Sequence, residues 1–281
     1  SLAIILCLQG RVKECERLLR QSIADFQAVG DRVDTAAALT NLSYVLLFLG
    51  QPAKAYAQLD KSAAVLDELG LRDWVTAQNL TCRGEVALWL GRYRQARAFI
   101  EAGLAMAQEI GRHNILTTCL SCLGMVAILE EDYARAAQLL REGVAAARQI
   151  GHFHVDSYAA LLGLSALGQG QPRQARRHLY EALRTAVQKG SFIPLLYALP
   201  PVAHLLVAEG EVERAVELYA LASRYPFVAH SRWFEDVVGQ HIAVAAEALP
   251  PEVVASAQER GRARDLWDTV RELVAELATN D

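Results

Sequence analysis

The chain of 281 residues has few aromatic side chains and no long run of basic residues. Aromatic residues make up 7% of the chain, while alanine and leucine are abundant throughout, which favours closely packed helices over strands. The formal net charge is −4. Because nucleic acids and anionic membrane surfaces attract basic proteins, neither is predicted as a partner.

The sequence also lacks a signal peptide and a membrane-spanning run. The first eight residues are apolar, but they have no basic flank and no cleavage site. The uncharged stretch 193–208 is shorter than the roughly 18 to 20 residues that a membrane helix needs. It also contains Pro194, Pro200 and Pro201, so we predict a buried helix there.

Cysteine is present five times, an odd number at spacings that fit no secreted disulfide scaffold, which predicts a reducing cytoplasmic location. Cys119 and Cys122 have the C-x-x-C spacing of metal and redox sites. They lie inside a predicted helix and no second pair follows, so buried thiols are predicted instead of a metal site. The glycines at 168–170 are not followed by the Lys-Ser/Thr of a phosphate loop. The sequence therefore predicts no cofactor, no metal and no catalytic constellation.

One pattern occurs six times along the chain: a turn residue, usually glycine, followed five positions later by a small residue. The turn residues are separated by 40, 41, 40, 39 and 40 positions; they are Gly10, Gly50, Gly91, Glu131, Gly170 and Gly210. A second set with the same period lies between them and comprises Gly30, Gly70, Gly111, Gly151 and Gly190. The two sets predict units of two antiparallel helices, each about 17 residues long and ending in a left-handed cap.

Small residues recur on both helices of the predicted unit. On the second helix they are Cys15, Ala55, Ala96, Ala136, Ala175 and Ala215. On the first helix, seven positions before the turn, they are Ser43, Gly84, Gly124, Gly163 and Ala203. Glycine inside a helix costs about 0.5 to 1 kcal/mol relative to alanine, so its recurrence in one column indicates that two helices cross closely there.

These columns resemble the tetratricopeptide repeat. The resemblance includes a leucine before the first small column and a tyrosine two positions after the turn, at Leu42, Leu123, Leu162, Tyr93 and Tyr133. Repeats of about 40 residues are similar to those in the sensor arms of large bacterial signalling ATPases, including the maltose-regulon activator and related LuxR-type regulators. The resemblance implies an all-α fold: a right-handed superhelical array of antiparallel helix pairs, an α-solenoid, over residues 1–223. It has six units, the first truncated, and the start at Ser1 suggests a piece of a longer protein.

The sequence departs from the repeat pattern at two places. Glu131 stands where the other units have the turn glycine, and Pro200 with Pro201 should bend or break the sixth first helix.

After residue 223 the repeat stops. Ser231 is predicted to cap a long helix, and two shorter helices follow, over about 251–260 and 266–278. Residues 224–281 are predicted to form a C-terminal helical cap, because the last repeat otherwise exposes its core.

In tetratricopeptide arrays the first helices line the concave side. Transferring those positions predicts a ligand groove formed by Tyr44, Phe48, Gln78, Thr81, Glu85, Trp89, Ser121, Met125 and His204. The groove mixes apolar side chains with hydroxyls, one carboxylate and one imidazole, which suits a peptide or protein segment or a small molecule. Alternatively, the superhelix is wound so tightly that these residues pack on one another.

The predicted function is a non-enzymatic ligand- or protein-binding scaffold. It would be the sensor or docking arm of a larger cytoplasmic signalling or transcription-regulating ATPase, whose ATPase module lies upstream in the same chain. The ligand, a peptide with a basic group or a small polar molecule, is expected across units two and three, where Trp89→Ala should weaken binding without unfolding the array. Two alternatives remain: a self-assembling structural repeat module, and an enzyme module that uses Glu85 or His204 as acid and base. Those two residues lie three units apart, which argues against a shared reaction centre.

Overall fold

The computed structural model describes residues 2–151 and 155–278, and within those ranges it contains helices and turns but no strand. The helices of the repeat units are α1 (Leu2–Leu8), α2 (Val12–Ala28), α3 (Arg32–Phe48), α4 (Pro52–Glu68), α5 (Trp74–Trp89), α6 (Tyr93–Glu109), α7 (His113–Leu129), α8 (Tyr133–Gln149), α9 (Val155–Gly168), α10 (Pro172–Lys189), α11 (Phe192–Ala208) and α12 (Val212–Ala222). They are followed by α13 (Pro226–Ala229), α14 (Arg232–Phe234), a π-helical segment (Glu235–Gly239), α15 (Gln240–Ala246), α16 (Pro251–Ala263) and α17 (Leu266–Ala278). The predicted all-α fold is confirmed.

The odd- and even-numbered helices from α1 to α12 form six antiparallel pairs. Each first helix packs against the second helix of its own unit, and from α3 onward it also packs against the first helix of the next unit. Helix α1 contacts α11, so the first and sixth units lie beside each other. The array of helix pairs therefore curves far enough for its two ends to meet.

The columns of small residues mark close helix crossings, as predicted. A Cβ atom added to Gly124 would lie 2.7 Å from Cγ of Leu140, and one added to Gly163 would lie 2.7 Å from Cγ of Leu179. Ala136, on the opposite helix of the fourth unit, is completely buried. The glycine is therefore required because a leucine of the paired helix occupies the space of a side chain.

Replacing Gly124 with leucine is expected to lower the free energy of unfolding by about 1 to 3 kcal/mol or more, because the added side chain overpacks the contact with Leu140. Gln138→Leu on the exposed face of α8 adds a similar side chain where space is open and should change stability by about 0.5 kcal/mol or less. Urea denaturation of both variants measures the difference. Equal, negligible losses would contradict the steric explanation.

The turn glycines have the left-handed backbone conformation that the repeat pattern predicts. In the fourth unit Glu131 adopts the same conformation, with φ of 60°, and it is the one non-glycine residue with positive φ in the described ranges. The equivalent Gly170 of the next unit has φ of 68°. A β-carbon in this region costs about 1 to 2 kcal/mol, so the turn geometry is maintained at Glu131 against a local preference.

Glu131→Gly is therefore expected to stabilise the protein by about 0.5 to 1 kcal/mol, because the relief of backbone strain exceeds the extra unfolded-state entropy of glycine. The reciprocal change Gly170→Glu is the matched control, since the space around Gly170 is open and the change introduces the same strain. It should destabilise by a similar amount. Thermal unfolding of both variants tests this, and a stabilising Gly170→Glu would refute it.

Of the two outcomes predicted for Pro200 and Pro201, a bend or a break of the sixth first helix, the break is wrong. Helix α11 runs without interruption from Phe192 to Ala208 with Pro200 and Pro201 inside it. Both prolines are buried, and α11 packs against α9, α10, α12 and α15. This packing holds the helix together although the two residues cannot donate backbone hydrogen bonds.

Helices α16 and α17 pack on the last units of the array, against α12 and α10 respectively. Glu217 of α12 holds the end of α16: its carboxylate accepts hydrogen bonds from Arg260 Nε at 2.9 Å and from Nη1 of Arg264, the residue after the helix, at 2.8 Å. The predicted cap at Ser231 is confirmed, because its hydroxyl accepts a hydrogen bond from the backbone N–H of Phe234 at 3.1 Å. Among the described helices, none has the length and apolar character that crossing a membrane requires.

Candidate functional site

The chain folds back along its own repeat array directly after the sixth unit. We call residues 226–241 the inserted segment; they comprise α13, α14, the π-helical segment and the start of α15, and they contact α3, α5, α7 and α11. We call the surface of the first helices that they contact the inner face. The inserted segment therefore touches units two, three, four and six at once.

An aromatic cluster joins the inserted segment to the inner face, with Phe227 at its centre. The ring of Phe227 stacks on Phe48, with centroids 4.5 Å apart, and lies 4.8 Å from the ring of Trp89 and 5.2 Å from that of Tyr197. The indole Nε1–H of Trp89 donates a hydrogen bond to the carbonyl of Phe227 at 3.0 Å. Phe227 is completely buried, so this contact forms part of the core.

Three further contacts hold the inserted segment in position. The indole of Trp233 donates a hydrogen bond to the carbonyl of Met125 at 3.0 Å, and the imidazole Nδ1 of His230 lies 2.8 Å from the carbonyl oxygen of Gly50. The hydroxyl of Tyr93 donates a hydrogen bond to the carboxylate of Asp236. These partners belong to units four, two and three, so the segment is fixed along its length.

The turn glycines give the inserted segment room to approach. A Cβ atom added to Gly91 would lie 2.7 Å from Cγ of Arg232, and one added to Gly50 would collide with Pro226. The glycines are already required by the left-handed turn conformation. At Gly50 and Gly91 the absence of a side chain also allows Pro226 and Arg232 to lie directly on the backbone.

This arrangement differs from the open groove that the sequence predicts. Phe48, Trp89 and Met125 are 5%, 2% and 2% exposed, because the inserted segment covers them. The repeat pattern ends before residue 226, so periodicity carries no information about where the following residues pack. The apolar part of the predicted groove is thus occupied by the chain itself.

The polar part of the inner face centres on Glu85. Its carboxylate accepts a hydrogen bond from the hydroxyl of Tyr197 at 3.1 Å, which connects unit three with unit six. Glu85 is 6% exposed and, within the described residues, is in no salt bridge. Burial raises the pKa of Glu85 to about 7, and the hydrogen bond from Tyr197 opposes this rise only in part.

Tyr44 lies on α3 of the preceding unit and Gln78 on α5, the helix of Glu85, and both are half-buried. The ring of Tyr44 meets that of Phe48 edge to face, with centroids 4.8 Å apart. The side-chain amide of Gln78 donates a hydrogen bond to that of Asn41 at 3.2 Å, between α5 and α3. Both side chains therefore remain partly accessible on the first helices.

Thr81 and Ser121 contact the second helices of their units instead of lining the predicted groove. A Cβ atom added to Gly103 would lie 2.7 Å from Oγ1 of Thr81, and one added to Gly143 would lie 2.9 Å from Oγ of Ser121. The two hydroxyls thus lie against the paired second helices, and that of Thr81 also lies against α7. Each donates to the carbonyl four residues earlier in its own helix, Thr81 to Ala77 at 2.8 Å and Ser121 to Thr117 at 3.0 Å. They serve helix packing between the two layers.

His204 lies at the other end of the inserted segment. Its ring stacks on that of His241 at 4.9 Å and 14°, beside a cavity of about 50 Å³ that Asp236 also lines. Burial lowers the pKa of His204 to about 4, with a smaller contribution from His241. Its Nδ1 has no hydrogen-bond partner in the described part of the chain. Glu85 hydrogen-bonds Tyr197, and His204 lies seven residues further along α11, a rise of about 10 Å, where it stacks on His241.

Cys119 and Cys122 are buried free thiols on α7, as predicted. The Sγ of Cys119 lies 3.1 Å from Oγ1 of Thr81, and burial raises the pKa of Cys119 to about 11. Among the residues that the structure describes, no group of three or more His, Cys, Asp or Glu side chains is arranged to hold a metal ion.

Sequence reasoning missed three aromatic residues that cover the inner face, Phe227, Trp233 and Phe234, all completely buried. A usable signal was present: the stretch YPFVAHSRWF holds four aromatic residues in a chain with 7% aromatics. Aromatic side chains concentrated in a stretch outside the repeats indicate that the stretch packs against something.

Comparisons with known proteins identify the repeats. The sequence matches the tetratricopeptide repeat family over residues 1–68 and 75–149, and a second description of the same repeat matches residues 157–179. No curated protein sequence matches the chain.

Solved structures with the same architecture include a Rap protein in complex with Competence and Sporulation Factor, with a TM-score of 0.72 and 14% identity over 98% of this chain and 74% of that one. BtubC from P. vanneervenii has a TM-score of 0.52 and 14% identity over 85% of this chain and 94% of its own. The apo form of RapI has a TM-score of 0.50 and 12% identity over 98% and 94%. At such identities the likeness extends to the fold alone.

Proposed function

The chain belongs to the tetratricopeptide repeat family, and from that premise we propose that it is a non-enzymatic scaffold that binds a ligand with a cationic group on its inner face. The ligand is a peptide or protein segment, or a small polar molecule. In this proposal residues 1–223 form the binding array and residues 224–281 close it. The contacts of the ligand include Glu85, Tyr44 and Gln78.

The observation that carries the proposal is the carboxylate of Glu85. A buried carboxylate is normally paired with a cation, because an isolated charge loses its hydration on burial. Glu85 is held by the hydroxyl of Tyr197 instead, at 3.1 Å, and burial raises its pKa to about 7. A guanidinium or ammonium group of a ligand would supply the missing charge. The Rap protein with the same fold, in its complex with Competence and Sporulation Factor, supports the idea that such an array holds a ligand.

We also propose the wider setting from the resemblance of the 40-residue repeats. The chain would be the sensor or docking arm of a cytoplasmic bacterial regulator, with an upstream ATPase module in the same polypeptide. Within the described residues the cysteines form no disulfide, which suits a reducing compartment. Joining the chain to its neighbouring sequence and measuring ATP hydrolysis with and without a bound ligand tests this setting.

Two pools of short peptides test the inner-face site. One pool carries arginine at a fixed position among random neutral residues, and the other carries citrulline there, which has nearly the same shape without the charge. Fluorescence anisotropy should give at least about tenfold tighter binding of the arginine pool, because hydrogen bonds to charged groups contribute about 1.5 to 3 kcal/mol. The affinity should rise with pH up to about 7 and then level off, since pairing requires the ionised form of Glu85.

Glu85→Gln should abolish the preference for arginine. Glu101→Gln, an exposed carboxylate on α6 of the same unit, is the matched control and should leave it unchanged, as should Arg177→Ala on the exposed side of α10. A preference that persists in Glu85→Gln, or that disappears with Arg177→Ala, would reject the inner-face site.

A further inference from the structure

An apolar cleft of about 930 Å³ lies between α12, the stretch 235–247 and α16. Its apolar lining includes Val216, Ala220, Ile242, Ala246, Leu249 and Val254. It is formed by the C-terminal helices and the last repeat unit, and Glu85 takes no part in it. The alanines leave space between the walls, so the cleft can receive a bulky apolar group.

The residues that line the two walls repeat with helical spacing. Gly239, Ile242 and Ala246 follow one another on one wall, and Pro251, Val254, Gln258 and Arg262 do so on the other. At a rise of 1.5 Å per residue, the eleven steps from Pro251 to Arg262 extend about 16 Å. The wall is therefore as long as three turns of an α-helix.

The two arginines at the rim of the cleft differ from the other arginines of this region in having no carboxylate partner among the described residues. The other arginines between residues 212 and 278 are in salt bridges: Arg214, Arg232, Arg260, Arg264 and Arg271. Arg224 and Arg262 both line the cleft, and within the described residues neither is in a salt bridge. Arg224 donates to the carbonyl of Arg264, and Arg262 to the side chain of Gln258.

The opposite wall carries carboxylates. Glu235 and Glu247 both line it, at the two ends of the stretch that contains the π-helical segment and α15. Tyr219 of α12 hydrogen-bonds Glu235, and both groups lie over Gly239, where an added Cβ would be 2.5 Å from Oε2 of Glu235 and 2.6 Å from the hydroxyl of Tyr219. The π-helical turn and the glycine thus hold one carboxylate at the edge of the cleft. Such turns occur frequently at functional sites.

We propose that this cleft is a docking site for an amphipathic helix of a partner protein. The apolar stripe of that helix occupies the cleft, its basic flank faces Glu235 and Glu247, and its acidic flank faces Arg224 and Arg262. An apolar groove of helix length binds the apolar residues of a partner helix at every third or fourth position, and charges on the rim select the partner. This site is separate from the proposed inner-face site and does not depend on it.

Three labelled helical peptides of about 14 residues test the docking site on the whole chain, a length chosen to exceed the three turns of the cleft. All three carry the same leucine stripe. The first has arginines on one flank and glutamates on the other, the second has arginines on both flanks, and the third has glutamates on both. The mixed peptide should bind at least about tenfold more tightly than either of the others.

The double variant Arg224→Glu with Arg262→Glu makes the whole rim acidic and should change the preferred probe to the peptide with arginines on both flanks. Its matched control is Arg94→Glu with Arg135→Glu, which changes the net charge equally at exposed positions on α6 and α8 and should keep the original order. Equal affinities for the three peptides, or the same change of order in the control variant, would overturn the proposal. A small apolar dye gives a further test, with Ala243→Trp as the variant that should exclude the dye if it binds in the cleft. If the dye binds there and none of the three peptides displaces it, the cleft is a site for small molecules and the proposal is overturned.

Discussion

Trp89→Ala is expected to lower the free energy of unfolding by about 3 to 5 kcal/mol, the usual range for removing a large buried aromatic ring. The indole of Trp89 is 2% exposed, lies 4.8 Å from the ring of Phe227 and donates a hydrogen bond to the carbonyl of that residue. The variant loses the packing and leaves a buried carbonyl without its donor. The repeat pattern alone predicts that this substitution spares the fold, whereas the inserted segment makes Trp89 part of the core.

The same helix contains the control. Trp74 is the first residue of α5 and Trp89 the last, and Trp74 is 37% exposed, with the guanidinium of Arg112 5.7 Å from its ring centroid. Trp74→Ala should therefore cost about 1 kcal/mol or less. Urea denaturation compares the two variants, and limited proteolysis should cleave the inserted segment faster in Trp89→Ala. Equal losses of stability would mean that the inserted segment contributes nothing to the core.

Glu85→Gln is expected to make the protein more stable above pH 7, by up to about 3 kcal/mol. The carboxyl group of Glu85 ionises near 4.5 when the chain is unfolded and near 7 when it is folded, because burial disfavours the charge. Between these pH values the folded chain holds a proton that the unfolded chain has lost. The contribution of Glu85 to stability therefore falls as the pH rises from about 4.5 to about 7 and stays at its low value above that.

The amide of the glutamine can still accept the hydrogen bond from Tyr197, so the variant removes the charge and keeps the contact. Its advantage over the wild type should disappear near pH 4.5. Denaturation curves at several pH values measure this, with Glu101→Gln, which removes an exposed carboxylate, as the matched control. A difference between Glu85→Gln and the wild type that does not depend on pH would mean that the carboxylate of Glu85 is solvated. If Glu85→Gln is more stable than the wild type and no longer prefers the arginine peptides, the loss of binding is not caused by a loss of folding.

The parts of the fold that depend on local and periodic signals could be predicted from the sequence. Gly124 and Gly163 repeat because the same leucine contact recurs in each unit, and the turn glycines repeat because each unit needs the same backbone conformation. Periodicity therefore gave the helix pairs and their crossings. It also gave Glu131 as an exception, although it could not show that the exception keeps the left-handed conformation.

The inner face could not be predicted in the same way. Whether Trp89 is a ligand contact or a core residue depends on Phe227, which lies 138 residues later in the chain and outside the repeat. The orientation of Thr81 and Ser121 depends on the rotation of each helix about its axis. Positions transferred from other tetratricopeptide arrays define that rotation only approximately. The repeat register predicts Glu85 as a carboxylate of the groove, but its contact with Tyr197 depends on how far the array curves.

The inserted segment also limits how the protein can evolve. Most solenoids gain or lose units easily, because each repeat contacts only its neighbours. Here Pro226 lies against Gly50, Arg232 against Gly91 and Trp233 against Met125, so the spacing of the units is matched to one fixed stretch of chain. A duplicated or deleted 40-residue unit would separate these pairs and the contact between α1 and α11 together. The number of repeats in this protein is consequently constrained. Gene rearrangements that lengthen or shorten the array would disrupt folding and would be removed by selection.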